Sequence, residues 1–229
     1  MATARGPFIT LEGIDGCGKS TQASHLARWL EGRGWNVERT FEPGGWNGGR
    51  ALRSLVLEGE VTGAETELLL FLADRSGHLA SVVRPALAAG RAVLCERYSD
   101  STWAYQVGGR GLDPVKVRGL MELCGFPEPD VTLFLEISPE AAAERLAGRR
   151  GGTDRIEAGG LAFMARVAEA YKELALTNSG RILIVPAEGP EDEVARRIAR
   201  GVEQALFSER ACFEASPGGQ GGSSPLSFA

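Results

Sequence analysis

Glycines, a lysine and two hydroxyl residues follow one another in the segment GIDGCGKST, at residues 13–21. Gly13, Gly18, Lys19 and Ser20 fit the pattern G-x-x-x-x-G-K-[ST], with an apolar run before them and an amphipathic helical pattern after them. Such a loop wraps backbone N–H groups around a phosphate, while its lysine reaches the β and γ phosphates and its serine can bind Mg²⁺. The segment therefore predicts ATP binding by Gly13, Asp15, Gly16, Cys17, Gly18, Lys19, Ser20 and Thr21.

A second group of residues suits a nucleobase. Phe71 and Arg75 in LLLFLADR are four apart, so they share one face of a helix. An aromatic ring can stack on a base plane, and a guanidinium can bind its polar edge. A core phenylalanine beside a surface arginine is the simpler alternative when this pair is taken alone.

Glu96 and Arg97 follow the apolar run AVLC, where a strand is expected to end. A carboxylate there can hold Mg²⁺ through water, and an arginine can bind a phosphate with two hydrogen bonds. The alternative is an ion pair that caps the next helix.

Arg149, Arg150 and Arg155 surround two glycines in GRRGGTDRIE. Together with a phosphate-binding loop they predict a lid, at about residues 148–159, that closes over the transferred group and keeps water out. Solvated arginines on a loop are the alternative.

Five apolar runs rich in β-branched residues predict strands at Phe8–Leu11, Val37–Phe41, Ala92–Cys95, Val131–Ile137 and Ile182–Val185. Helical patterns separate them, including long ones at Glu65–Ala89 and Leu161–Leu176. Strands that alternate with helices pair in parallel, with helices on both faces of the sheet. The predicted fold class is α/β, a P-loop NTPase-like three-layer sandwich around a five-stranded parallel sheet, whose ligands lie beyond the carboxyl ends of the strands.

Composition limits the remaining choices. The chain has 229 residues and a formal net charge of -5, which argues against a nucleic-acid polymer as partner. It has no apolar stretch of membrane-spanning length, and its four cysteines lack metal-site spacing, so we expect a cytoplasmic protein. Residues 1–207 are predicted to form one domain. The Gly-, Ser- and Pro-rich tail at 208–229 is predicted to be disordered.

The segments LEGIDGCGKST, EPGG, LLFLADR, ERYSDSTWAYQ, PDVTLFLEI and DRIE occur in an order and spacing that resemble the thymidylate kinase family. The resemblance covers about Phe8 to Phe207. It implies transfer of the γ-phosphoryl group of ATP to dTMP, with Mg²⁺, in a homodimer. It also implies that Lys19, Arg97, Arg149, Arg150 and Arg155 are catalytic, that Ser20 and Glu96 serve the metal, and that the acceptor contacts Asp15, Glu42, Arg53, Phe71, Arg75, Arg97, Thr102, Tyr105 and Gln106.

Individual roles follow from the same resemblance. Asp15 would lie near the sugar 3′-hydroxyl and Tyr105 beside the deoxyribose, while Arg97 would bind the dTMP phosphate. The chain departs from the family pattern at Glu96, where aspartate is usual, at Phe41, where arginine is common, and at Val107, where glycine is usual. Cys17 stands where some members carry a catalytic arginine, so the lid arginines are expected to supply that charge.

Two other functions fit parts of the sequence. A deoxynucleoside kinase also combines a P-loop with a Glu-Arg element, but it requires a general base for a neutral hydroxyl. A non-catalytic nucleotide-sensing module is the second alternative. His25 and His78 stand alone on helical patterns and are predicted to be surface or packing residues outside the mechanism. Trp46, after EPGG, is a candidate border of the acceptor pocket.

Overall fold

A computed structural model describes residues 5–59, 61–148, 156 and 159–214, with side chains up to residue 206. Five strands form one sheet in which every adjacent pair is parallel, in the order β2-β3-β1-β4-β5. The predicted α/β fold with a five-stranded parallel sheet flanked by helices is confirmed. The strands are β1 Phe8–Glu12, β2 Val37–Phe41, β3 Ala92–Glu96, β4 Val131–Glu136 and β5 Ile182–Pro186.

Helices connect successive strands, as parallel pairing requires. In the described part of the chain they are α1 Lys19–Glu31, α2 Gly49–Glu58, α3 Ala64–His78, α4 Arg84–Ala88, α5 Ser99–Thr102, α6 Pro114–Cys124, α7 Pro139–Ala147, α8 Gly160–Thr177 and α9 Glu191–Glu214. The predicted boundary at residue 207 falls inside α9. Residues 215–229, which include most of the predicted disordered tail, lie outside the described residues.

The central strand β1 is buried along its whole length, because β3 and β4 flank it and helices cover the sheet. Its apolar residues Phe8, Ile9 and Leu11 therefore lie on both faces, and the buried Thr10 bonds to Thr132 of β4 at 2.8 Å. The register sets Leu11 beside Glu96, and the amide of Arg97 donates to the Leu11 carbonyl at 2.9 Å. The carboxyl ends of β1 and β3 thus meet at one edge of the sheet.

Two π-helical segments interrupt the regular helices. The long helical stretch predicted at Glu65–Ala89 forms, but a π-helical turn at Leu79–Val83 separates α3 from α4. A second one, Trp103–Gly109, follows α5. π-helical turns change which face of a helix its side chains occupy and are frequent at functional sites. The second carries Tyr105 and Gln106, both assigned to the acceptor.

Two further sequence predictions concern the arginine lid and membrane-spanning segments. Arg149, Arg150 and Arg155 lie outside the described residues, as does most of the predicted lid. Within the described residues, no helix is long and apolar enough to cross a membrane.

Candidate active site

One cleft lies at the carboxyl ends of β1, β2 and β3. All of the residues that the sequence assigns to the acceptor line it: Asp15, Glu42, Arg53, Phe71, Arg75, Arg97, Thr102, Tyr105 and Gln106. The sequence did not single out four further lining residues, Pro43, Leu57, Ser101 and Ile156. The fold thus brings together side chains from five separate segments, as a binding site in an open α/β sheet requires.

The glycine loop joins β1 to α1 and depends on glycine at specific positions. Gly16 has φ of 88°, and a Cβ atom there would lie 2.4 Å from the Ala142 carbonyl oxygen. Gly18 caps α1 in the left-handed conformation, with φ of 97°. Residues with side chains rarely adopt this conformation, so the loop holds its shape because glycine stands at these two positions.

Lys19 is held by its own loop. Its Nζ donates to the carbonyl oxygens of Gly13 at 2.9 Å and Ile14 at 3.0 Å, and it lies 3.7 Å from the Asp15 carboxylate. The side chain is buried at the start of α1. A cation at the amino-terminal end of a helix is suited to phosphate oxygens.

Asp15 and Arg97 form an ion pair at the floor of the cleft. Arg97 NH2 lies 2.5 Å from Asp15 Oδ1, Arg97 NH1 donates to the Gly13 carbonyl at 3.1 Å, and the Tyr105 hydroxyl donates to Asp15 Oδ2 at 3.3 Å. Burial alone would raise the pKa of Asp15, but Arg97 and Lys19 outweigh it and hold the pKa well below its ordinary value. The glycine loop and the predicted phosphate-binding arginine are therefore directly joined.

Glu12 at the end of β1 is a site-supporting residue that the sequence reasoning missed. Its carboxylate accepts hydrogen bonds from the Tyr98 amide at 2.7 Å, the Ser101 hydroxyl at 2.5 Å and the Tyr171 hydroxyl at 2.8 Å. Burial, with a further contribution from nearby Asp100, raises the pKa of Glu12 to about 7. An acidic residue inside the otherwise apolar run FITLE was the signal that could have revealed it.

Arg75 is fixed by three hydrogen bonds. Its Nε donates to Glu42 at 2.7 Å, NH1 to Thr102 at 2.9 Å and NH2 to the Tyr98 carbonyl at 2.9 Å. A guanidinium carries five N–H donors, so two remain on the terminal nitrogens. A rigid, buried guanidinium with N–H groups to spare can bind the oxygens of a base or a phosphate.

His78 lies behind Glu42 and is fully buried. It contacts Glu42 Oε1 at 2.9 Å through Nδ1 and the Thr40 hydroxyl at 2.6 Å through Nε2. His25, by contrast, is partly exposed and pairs with Glu191. The prediction that His78 is a packing residue fits its burial, yet His78 also orients a side chain of the cleft.

Ser20 and Glu96, the two residues assigned to a metal, lie in contact. The Ser20 hydroxyl donates to Glu96 Oε2 at 2.6 Å, and Arg39 is 3.9 Å from Glu96 Oε1. A hydroxyl beside a carboxylate is a set of hard oxygen donors, which suits Mg²⁺. The longer glutamate side chain therefore still reaches the serine of the loop.

Trp46, a candidate border of the acceptor pocket, is not among the residues that line the cleft. Its indole donates to Asp74 at 2.9 Å, and Asp74 also accepts from the Gly44 amide at 3.0 Å. Trp46 thus braces the segment that carries Glu42 and Pro43. Arg53 also contacts this segment, since its NH1 donates to the Pro43 carbonyl at 2.9 Å.

Comparison with known proteins agrees with this geometry. The family model described as thymidylate kinase matches residues 11–198. The thymidylate kinase of Gloeobacter violaceus is 46% identical over 211 residues, covering 90% of this chain and 99% of that protein. The thymidylate kinase of Nitratidesulfovibrio vulgaris is 44% identical over 209 residues, covering 87% and 93%. That of Leifsonia xyli subsp. xyli is 47% identical over 196 residues, covering 84% and 92%.

The parallel sheet, with a glycine-lysine-serine loop between its central strand and the following helix, defines a P-loop nucleotide-binding protein. Within that class, the family match and the similarity over nearly the whole chain decide the finer assignment. The chain belongs to the thymidylate kinase family. The resemblance drawn from the sequence motifs is confirmed.

Proposed function

We propose that the protein transfers the γ-phosphoryl group of ATP to dTMP, forming dTDP and ADP. One observation supports the proposal above all. The ion pair between Arg97 and Asp15 joins the glycine loop to the cleft, and this cleft is lined by all nine residues that the sequence assigns to the acceptor. In the reaction a phosphate oxygen of dTMP forms a bond to the γ phosphorus, and the bond between that phosphorus and the β–γ bridging oxygen breaks. ADP leaves with the electron pair.

Charge is the main obstacle to this reaction. The acceptor oxygen is already anionic near neutral pH, so no strong general base is needed, but two anions must approach each other. Arg97 offers the acceptor phosphate a guanidinium at the edge of the glycine loop, and Lys19 serves the β and γ phosphates of ATP. Arg53 assists Arg97 from the rim of the cleft.

The opposite end of the cleft binds the base and the sugar. Phe71 stacks on thymine, while Arg75, Thr102 and Gln106 bind its polar edge. Their buried positions support this role, since Arg75, Thr102 and Gln106 are each at most 2% exposed and still line the cleft. In water-excluded surroundings each hydrogen bond to the base discriminates more strongly.

Asp15 and Tyr105 bind the deoxyribose between these two ends. The Tyr105 hydroxyl donates a hydrogen bond to the Asp15 carboxylate. This carboxylate can still accept a hydrogen bond from a sugar 3′-hydroxyl. Glu42 takes part through Arg75, whose guanidinium it orients.

Ser20 and Glu96 are the residues that would hold Mg²⁺, Ser20 directly and Glu96 through water. When bound, the ion would neutralise negative charge on the β and γ phosphates. The Ser20–Glu96 hydrogen bond supports this pairing.

Arg149, Arg150 and Arg155 complete the proposed machinery as a lid over the γ phosphate. An added arginine in related phosphoryl transfers is worth about 10³ to 10⁵ in rate. Arg150→Ala is expected to lower kcat more than it raises the KM for either substrate. Full turnover after replacement of all three arginines by alanine would exclude the lid role. We also propose a homodimer that works in the cytoplasm.

A coupled assay of ADP release tests the reaction with a panel of acceptors: dTMP, dUMP, thymidine, dCMP and AMP. We expect dTMP to give the highest kcat/KM. Turnover of thymidine in preference to dTMP would indicate a deoxynucleoside kinase instead. ATP binding without any dTMP-dependent ADP release would indicate a nucleotide-sensing module.

A further inference from the structure

A buried carboxylate lies behind one of the base-binding residues. Glu67 on α3 is 1% exposed and pairs with Arg110, which donates from Nε at 3.1 Å and from NH2 at 3.0 Å. Gln106 Nε2 donates to the same carboxylate at 2.9 Å. Gln106 and Arg110 are four residues apart, at the π-helical segment Trp103–Gly109 and its carboxyl end, so both reach Glu67 from one side.

Glu67 decides which way the Gln106 amide faces. A carboxylate bound by a guanidinium is ionised and can only accept hydrogen bonds, so Gln106 must turn its NH₂ group toward it. The Gln106 carbonyl oxygen then points away from Glu67. Among the described residues, no donor bonds to that oxygen. Gln106 is 1% exposed and lines the cleft.

An amide fixed in this way presents a defined hydrogen-bonding edge. Its carbonyl oxygen accepts, and the amide hydrogen on the same side donates. This edge matches thymine or uracil, in which N3–H donates and the neighbouring carbonyl accepts. Cytosine has the reverse pattern, with an acceptor at N3 and an amino group beside it. A glutamine free to rotate could match either base, so fixing the amide adds to the discrimination that Arg75 and Thr102 provide.

We propose that Glu67 is a specificity-determining residue: by holding the Gln106 amide in one orientation, it makes the cleft accept pyrimidines with a protonated N3 and reject cytosine. This inference rests on the proposed function, in which Gln106 binds the base. Glu67 acts through Gln106 and is a positioning residue.

Glu67→Gln tests the proposal with almost no change in volume. The new amide can accept from Arg110 and donate to the Gln106 oxygen, which allows Gln106 to turn its NH₂ group toward the cleft. We expect kcat/KM for dTMP to fall about 10- to 100-fold, as for loss of a buried hydrogen bond, and that for dCMP to fall less or to rise. Glu65→Gln, the same change at an exposed position of α3, should leave the dTMP-to-dCMP ratio as in the wild type.

A double-mutant cycle separates this role from simple packing. In a Gln106→Leu background, Glu67→Gln should not change the dTMP-to-dCMP ratio further, because the group that it orients is gone. Thermal unfolding midpoints show whether each variant is folded. If Glu67→Gln is folded and lowers both activities equally, the inference is wrong although the proposed function stands. If the wild-type protein phosphorylates no dTMP, the proposed function itself fails.

Discussion

The carboxylate of Glu12 accepts a hydrogen bond from the backbone amide of Tyr98 at 2.7 Å and thereby holds the peptide that follows Arg97. Arg97 has φ of 68°, in the left-handed region that residues with side chains rarely adopt. Such a conformation persists where the surrounding structure fixes it, and it is frequent at functional sites. Glu12 thus fixes the backbone next to Arg97, whose guanidinium lines the cleft.

The Glu12 carboxylate predicts a pH dependence of stability. Because the pKa of Glu12 rises from 4.5 to about 7 on folding, the folded protein binds a proton more tightly than the unfolded chain between these values. The free energy of unfolding therefore falls as pH rises through that window, by up to about 3 kcal/mol from this group. Glu12→Gln imitates the protonated acid and should remove this part of the decline.

Urea unfolding of the wild type and Glu12→Gln at several pH values from 5 to 7.5 measures the difference. Glu65→Gln, on the exposed side of α3, is the control and should follow the wild type. Parallel curves for the wild type and Glu12→Gln would contradict the assignment.

His78 should matter for stability far more than His25. His78→Ala leaves the Thr40 hydroxyl and Glu42 Oε1 without this partner in a buried site, and it also opens a cavity. We expect the free energy of unfolding to fall by about 2 to 4 kcal/mol. His25→Ala removes a surface pair with Glu191 and should change it by less than about 1 kcal/mol. Similar losses in urea unfolding would show that the buried contacts of His78 contribute little.

Arg97→Lys tests recognition of the acceptor phosphate. Lysine keeps the positive charge but cannot form two parallel hydrogen bonds with one phosphate. We expect the KM for dTMP to rise about 10- to 100-fold, with a much smaller change in the KM for ATP. Arg118→Lys, at an exposed position of α6, is the matched control. An unchanged KM for dTMP would show that Arg97 does not bind the acceptor phosphate.

Glu96→Gln tests the metal assignment. The amide keeps the size of the side chain but loses the negative charge that attracts a divalent cation. The Mg²⁺ concentration for half-maximal turnover should increase about 10- to 100-fold, as is typical for loss of an outer-sphere partner. Glu122→Gln, exposed on α6, provides the control. If both variants titrate with Mg²⁺ like the wild type, Glu96 does not serve the metal.

The sequence predicted the features that depend on local pattern. Apolar runs and helical periodicity located the five strands and α8, and the glycine loop was identifiable because its spacing and its flanking elements are both specific. Residue type and position singled out Phe71, Arg75 and Arg97, and the other acceptor residues came from family resemblance. The structure places them in one cleft, and their individual roles stay predictions.

The missed features depend on tertiary contacts. Glu42 and Arg75 are 33 residues apart in the chain, and Glu67 and Gln106 are 39 apart, so no local pattern reveals either pair. The π-helical turn at Leu79–Val83 was missed because an α-helical period also fits its sequence.

Under the proposed function, in which Arg97 binds the acceptor phosphate, its ion pair with Asp15 makes acceptor binding an exchange of one anion for another. A phosphomonoester dianion can compete for the guanidinium that Asp15 holds, whereas an unphosphorylated nucleoside brings no charge with which to compete. On that proposal, selection for phosphorylated acceptors precedes the chemical step, since only another anion can compete with Asp15 for Arg97. The same carboxylate, once released, is available to the sugar, so recognition of one end of the acceptor prepares recognition of the other.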